Sequence, residues 1–90
     1  MMADQDTILR LLRTARGQID GIEKMVTQDR YCIDICNQIL AAESVLRKAN
    51  KEILRAHMGH CVRQALTGQD EAQAEVKVEE IVSLLDKMGK

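Results

Sequence analysis

The 90-residue chain has no proline, phenylalanine or tryptophan, and Tyr31 is its one aromatic residue. Its apolar content comes instead from Leu, Ile, Val, Ala and Met, a mixture that favours helices over strands. Long apolar runs are missing too, and the opening M-M-A-D-Q-D-T has neither a basic lead nor an apolar centre. Neither a membrane span nor a secretory signal is read from it, and a cytoplasmic location is expected. Cysteine is scarce: three residues, an odd number, make a poor disulfide framework and point to a metal, redox or buried-thiol role. Strong charge is also absent, since the net value is −1, too mild to announce nucleic-acid binding by itself. No Ser/His/Asp set, phosphate loop or paired-carboxylate cleft is present, so an enzyme is not expected. A chain this short forms one domain, residues 1–90, and buries only about 60% of its unfolded surface, so its own core is thin.

What is present is helical periodicity. Ile8, Leu11, Leu12, Ala15, Ile19, Ile22 and Val26 recur at three- and four-residue steps, predicting a helix from about Asp6 to about Val26. Gly17 and Gly21 within it would let another backbone approach closely. Thr27-Gln28-Asp29 forms a break, with Asp29 a candidate N-cap for the next helix. From Arg30 to about Leu66 nothing stops a helix until Thr67-Gly68, and Ile35, Ile39, Ala42, Leu46, Ala49, Ile53, His57 and Cys61 keep the pattern. Such a helix would span roughly 55 Å, against a radius of gyration near 12 Å for a compact chain of this size. It must overhang its own chain and expose an apolar stripe that asks for a partner. A third helix is expected from about Asp70 to Lys87, carrying Val76, Ile81, Leu84 and Leu85. The expected fold is all-α, three helices with a long central one.

His57 and Cys61 are four apart and so share a helical face, an arrangement that presents two ligands to one ion. Both also stand on the apolar stripe, where histidine and cysteine occur as ordinary core residues. Cys32 lies twenty-five residues before His57, or about 37 Å along a continuous helix. An antiparallel copy of the helix, crossing near Val45 and Leu46 on a two-fold axis, would set Cys32 of one chain beside His57 and Cys61 of the other and build two equal sites. Two thiolates and one imidazole form a soft set that suits Cu(I) better than Ni(II) or Co(II). Zn(II) would want a fourth ligand. His60 points about 60° away from His57 around the helix and would serve only with distortion. Cys36, one turn past Cys32, is a spare ligand, a redox partner or a packed thiol; C-x3-C is not the redox spacing.

Y-C-I-D-I-C-N-Q-I-L-A-A at residues 31–42, H-M-G-H-C-V at 57–62 and R-x-x-R-G-Q-I-x-G-I at 13–22 together resemble the CsoR/RcnR/FrmR family of metal- and stress-sensing transcriptional repressors, and within it the copper-sensing branch. The resemblance covers nearly the whole chain. It places Cys32, His57 and Cys61 at the Cu(I)-ligand positions through the spacing Cys-x24-His-x3-Cys. The nickel and cobalt sensors of the family put His at the last position and recruit an N-terminal His, whereas this chain has Cys61 and no His before His57. The formaldehyde sensors use a proline beside the first cysteine, and the persulfide sensors lack the histidine. Cys36 departs from the copper pattern and opens a route to sulfur chemistry.

The resemblance further implies a homodimer that pairs into a disc-like homotetramer and binds operator double-stranded DNA when metal-free. Cu(I) would weaken that binding and release copper-export genes. Tyr31, beside the first cysteine, and Glu79 or Glu80, on the last helix, stand where the family fixes the far side of the histidine ring. Such a bond would draw the third helix against the long one and deform the DNA-facing surface. Arg10, Arg13 and Arg16 fan across about 120° of the first helix, while Arg47, Lys48, Lys51 and Arg55 cluster on the second. From charge alone these residues read as a solvated helix face before they read as phosphate contacts. Arg13, Arg16 and Gln18 stand in the family's basic motif, with Lys48 and Lys51 as further candidates for DNA. Two other readings use some of the same residues: a sulfur-responsive repressor needing Cys32 and Cys61 but not His57, and a copper or zinc buffer needing no basic patch.

Overall fold

The structure, a computed structural model, describes residues 1–67 and 71–89. It contains three α-helices, α1 Gln5–Thr27, α2 Cys32–Leu66 and α3 Glu71–Met88, and no strand among the described residues. The all-α expectation holds. The expected stop at Gly68 and the start at Asp70 lie outside the described residues. No helix among those described is long and apolar enough to cross a membrane.

The chain resolves into two compact units, Met1–Ala56 and His57–Lys90. In the first, α1 and the part of α2 up to Ala56 form an antiparallel hairpin. The direction follows from a shallow hollow in which Met2, Asp4 and Ile8 face Glu52, Arg55 and Ala56, although a four-residue link joins the opposite end of α1 to α2. Ile8 and Ala15 are the buried residues of α1, and Ala42 and Ala49 are buried on α2. Each pair is seven apart and returns to one face after two turns. Three of the four are alanine, so the helices meet through methyl groups and the core is as thin as the length implies.

Asp4 caps α1, its carboxylate accepting from the Thr7 amide at 3.2 Å and from the Thr7 hydroxyl at 2.6 Å. The hydroxyl bond, then the amide bond, holds the Asp4 carboxyl below its ordinary pKa. The cap is therefore present above the ordinary value and fades as pH falls through the lowered one. At the far end the structure corrects the expected role of Asp29. It has φ 57, a left-handed backbone, and closes α1 instead of opening α2. The Asp29 amide donates to Val26 O at 3.1 Å and the Arg30 amide to Met25 O at 3.0 Å, the paired bonds of a Schellman motif in which glycine is the usual left-handed residue. Because Arg30 is engaged there, α2 begins at Cys32, two residues later than expected, with Tyr31 O accepting its first bond from Ile35 at 3.2 Å. Asp29→Gly is expected to raise stability by up to about 1 kcal/mol, read as a higher thermal midpoint at fixed protein concentration.

Gly17 and Gly21 are exposed, with nothing within 4 Å of where a Cβ would stand. The close approach expected at these glycines is not made by the described residues of the chain. In the second unit, Lys77 of α3 donates a hydrogen bond to Gln64 Oε1 of α2. The α3 surface leaves Val76, Val78, Leu84 and Leu85 exposed.

Candidate metal centre and nucleic-acid interface

The second unit holds two of the three proposed ligands. His57 and Cys61 are half-buried on successive turns of α2, and His57 Nε2 lies 3.5 Å from Cys61 Sγ. That separation is informative. With bond lengths typical of zinc, about 2.3 Å to a thiolate and about 2.0 Å to an imidazole, one ion at tetrahedral to trigonal angles sets the two donors about 3.5–3.7 Å apart. The pair thus has the spacing of a chelate, built from one thiol and one imidazole. Among the described residues of one protomer, no third His, Cys, Asp or Glu joins them.

Cys32 belongs to the first unit, at the first residue of α2, and is exposed together with Cys36 one turn on. Tyr31 is exposed at 67%. Glu79 and Glu80 are exposed on α3, and no described hydrogen bond joins either to His57. They line an apolar hollow of the second unit with Val76, Val78 and Leu84. His60 is half-buried.

The basic candidates lie in the first unit. Arg13 and Arg16 are exposed on α1, and Lys48 and Lys51 are exposed on α2. Neither pair takes part in a described salt bridge; the one described joins Arg55 to Glu52 at 4.0 Å. Gln18 differs from these. It is half-buried one turn past Ala15, and its Oε1 is enclosed with no hydrogen-bond partner among the described residues. The basic motif does not encode this enclosure, which arises from the packing of α1 near the buried Ala15.

Comparison with known proteins places the chain in a family. A family model described as a metal-sensitive transcriptional repressor matches residues 4–87. The copper-sensing transcriptional repressor CsoR of Bacillus subtilis (strain 168) is 34% identical over 87 residues, covering 97% of this chain and 83% of that protein. The chain belongs to the metal-sensitive transcriptional repressors, and is a regulator rather than an enzyme. Among solved structures, the copper-sensing repressor CsoR with Cu(I) from Geobacillus thermodenitrificans NG80-2 aligns with a TM-score of 0.79 at 34% identity, covering 94% of this chain and 85% of that one. The nickel-responsive transcriptional regulator InrS aligns with a TM-score of 0.77 at 25% identity, covering 97% of this chain and 94% of that one. A copper sensor and a nickel sensor thus share this fold almost equally well. The backbone does not choose the metal, and the donor atoms must.

Proposed function

We propose that this protein is a Cu(I)-responsive transcriptional repressor of the cytoplasm, whose metal-free homotetramer holds operator DNA and whose Cu(I)-bound form lets it go. The observation that carries the reading is the His57/Cys61 pair, a soft chelate 3.5 Å across on one helical face, in a chain of the metal-sensitive repressor family. Cys32 of one protomer and His57 and Cys61 of the partner subunit complete a three-coordinate set, which favours Cu(I) over metals that seek nitrogen and oxygen. The exposed Ile39 and Leu46 beside the buried alanines of α2 support an antiparallel partner helix at the crossing near Val45 and Leu46. Tyr31 and Glu79 or Glu80 are the groups proposed to fix the imidazole from its far side.

Copper acts on DNA only through a difference in affinity between two states, and that coupling is reciprocal. Arg13, Arg16, Lys48 and Lys51 supply phosphate contacts, and Gln18, placed with Arg13 and Arg16 by the family's motif, is proposed to act with them at the DNA. Arg13→Ala and Arg16→Ala are each expected to weaken binding similarly on all DNA sequences. Each should also flatten the slope of log affinity against log salt by about one for every phosphate no longer neutralised, with Cu(I) stoichiometry unchanged.

The experiment that tests the reading is anaerobic titration of the reduced protein with Cu(I), following thiolate absorption together with the anisotropy of labelled DNA from upstream of its own gene. One Cu(I) per chain with release of DNA is the expected result. Release by a persulfide donor but not by Cu(I) would replace it with the sulfur-responsive reading. Uptake of Cu(I) without any DNA binding would point to a buffer.

A further inference from the structure

Cys36 is the one thiol without a part in the three-coordinate site. It is exposed, as is Cys32 one turn before it, so α2 carries two donor pairs at the same four-residue spacing, Cys32/Cys36 and His57/Cys61. The second pair shows what this spacing achieves on this helix, since its donors stand 3.5 Å apart. Two thiolates sharing an ion at about 2.3 Å each need a separation of about 3.8 Å at the tetrahedral angle. Side chains at i and i+4 start from Cβ atoms about 5–6 Å apart, so rotation about χ1 closes the gap.

On the antiparallel dimer proposed above, which this inference assumes, we propose that Cys36 is the fourth ligand of a closed Cys3His site for Zn(II). Cys32 and Cys36 come from one protomer and His57 and Cys61 from the partner subunit. Zinc has no preference from d electrons and takes four tetrahedral ligands in closed sites, of which Cys3His is a recurrent set. With three protein donors a position would stay open; Cys36 fills it. His60 is the competing fourth donor, but it lies about 60° around the helix from His57, whereas Cys36 shares the face of Cys32. Cu(I) is content with three of the donors and leaves Cys36 free. The same position therefore takes either ion, with Cys36 engaged only by the one that needs four ligands, and Zn(II) competes with Cu(I) for it.

The test uses the reduced, full-length wild type and Cys36→Ser, a change at an exposed position. Both are titrated anaerobically with Co(II), which reports tetrahedral thiolate ligation by its absorption, then with Zn(II) against a chromophoric chelator, and in parallel with Cu(I). Wild type is expected to show the intense bands of tetrahedral Co(II) with charge-transfer absorption from three thiolates. Cys36→Ser should drop to the absorption of two and bind Zn(II) about a hundredfold more weakly, while both proteins take one Cu(I) per chain. A Cys36→Ser protein with unchanged Co(II) bands and Zn(II) affinity overturns the inference whatever copper does. A wild type that takes up no Cu(I) while its Co(II) spectrum shows three thiolates, lost in Cys36→Ser, would instead overturn the copper reading and leave the zinc site standing.

Discussion

His57→Ala is expected to separate copper binding from DNA release. Cu(I) should still be taken up by Cys32 and Cys61, because two thiolates suffice to hold a soft monovalent ion, but DNA affinity should hardly respond. In wild type, a coupling of about 1–3 kcal/mol makes Cu(I) weaken DNA binding by about 5–150-fold; in the variant the factor should approach one. The reason is geometric. A thiolate offers the metal one atom with nothing behind it, whereas an imidazole bound through one nitrogen presents the other about one ring-width away, where a hydrogen bond carries the event to another element. The structure places Nε2 toward Cys61 at 3.5 Å, which leaves Nδ1 as the ring nitrogen not turned to the thiol. Anisotropy of labelled DNA with and without Cu(I), in both proteins, reads the factor directly.

The second large effect concerns the hairpin. Among the described residues Ile8 is the one large aliphatic side chain that is buried, the other buried residues being Ala15, Ala42 and Ala49. Ile8→Ala is expected to cost about 2–5 kcal/mol through lost transfer energy and a residual cavity. Ala49→Leu, which inserts three carbons where two helices meet through methyl groups, should cost about 1–3 kcal/mol by forcing them apart. Against a total stability of about 5–15 kcal/mol either loss is large. Denaturant unfolding at fixed protein concentration measures both, and the midpoint should fall in each. Because the basic residues and Cys32 all ride on this hairpin, DNA affinity and Cu(I) uptake should both fall with it.

Much of this was legible from spacing alone. Period-3.6 patterning located all three helices, and the four-residue step from His57 to Cys61 implied a shared face that the structure shows as a contact. The shortfalls have physical causes. Asp29 reads as a cap because short polar side chains favour N-caps, yet the same property lets aspartate adopt the left-handed conformation that ends a helix. Sequence does not separate the two without the backbone angle. Periodicity likewise marks Ile19 and Val26 as members of the apolar face of α1, but they remain 44% and 58% exposed. A pattern shows which side seeks burial and not whether this chain or another provides it. The enclosed amide oxygen of Gln18 depends on packing between helices, which no local motif encodes. The proposed meeting of Cys32 with His57 and Cys61, by contrast, is an expectation drawn from helical spacing, and it requires a second chain.

That meeting is the central claim, and mixing two broken proteins tests it most directly. Cys32→Ser and Cys61→Ser are prepared separately in a Cys36→Ser background, so that each parent site keeps a single thiol, each with a different affinity tag, then combined so that mixed dimers form and are isolated through both tags. If the site is shared between protomers, the mixed dimer regains one whole site, built from Cys32 of the Cys61→Ser chain with His57 and Cys61 of the Cys32→Ser chain, while its other site lacks both thiols. Anaerobic titration should then give one tightly bound Cu(I) per mixed dimer with thiolate absorption, against none in either parent. No recovery in verified mixed dimers would contradict the account, because a site built within a single chain is broken in both partners and no mixture can repair it.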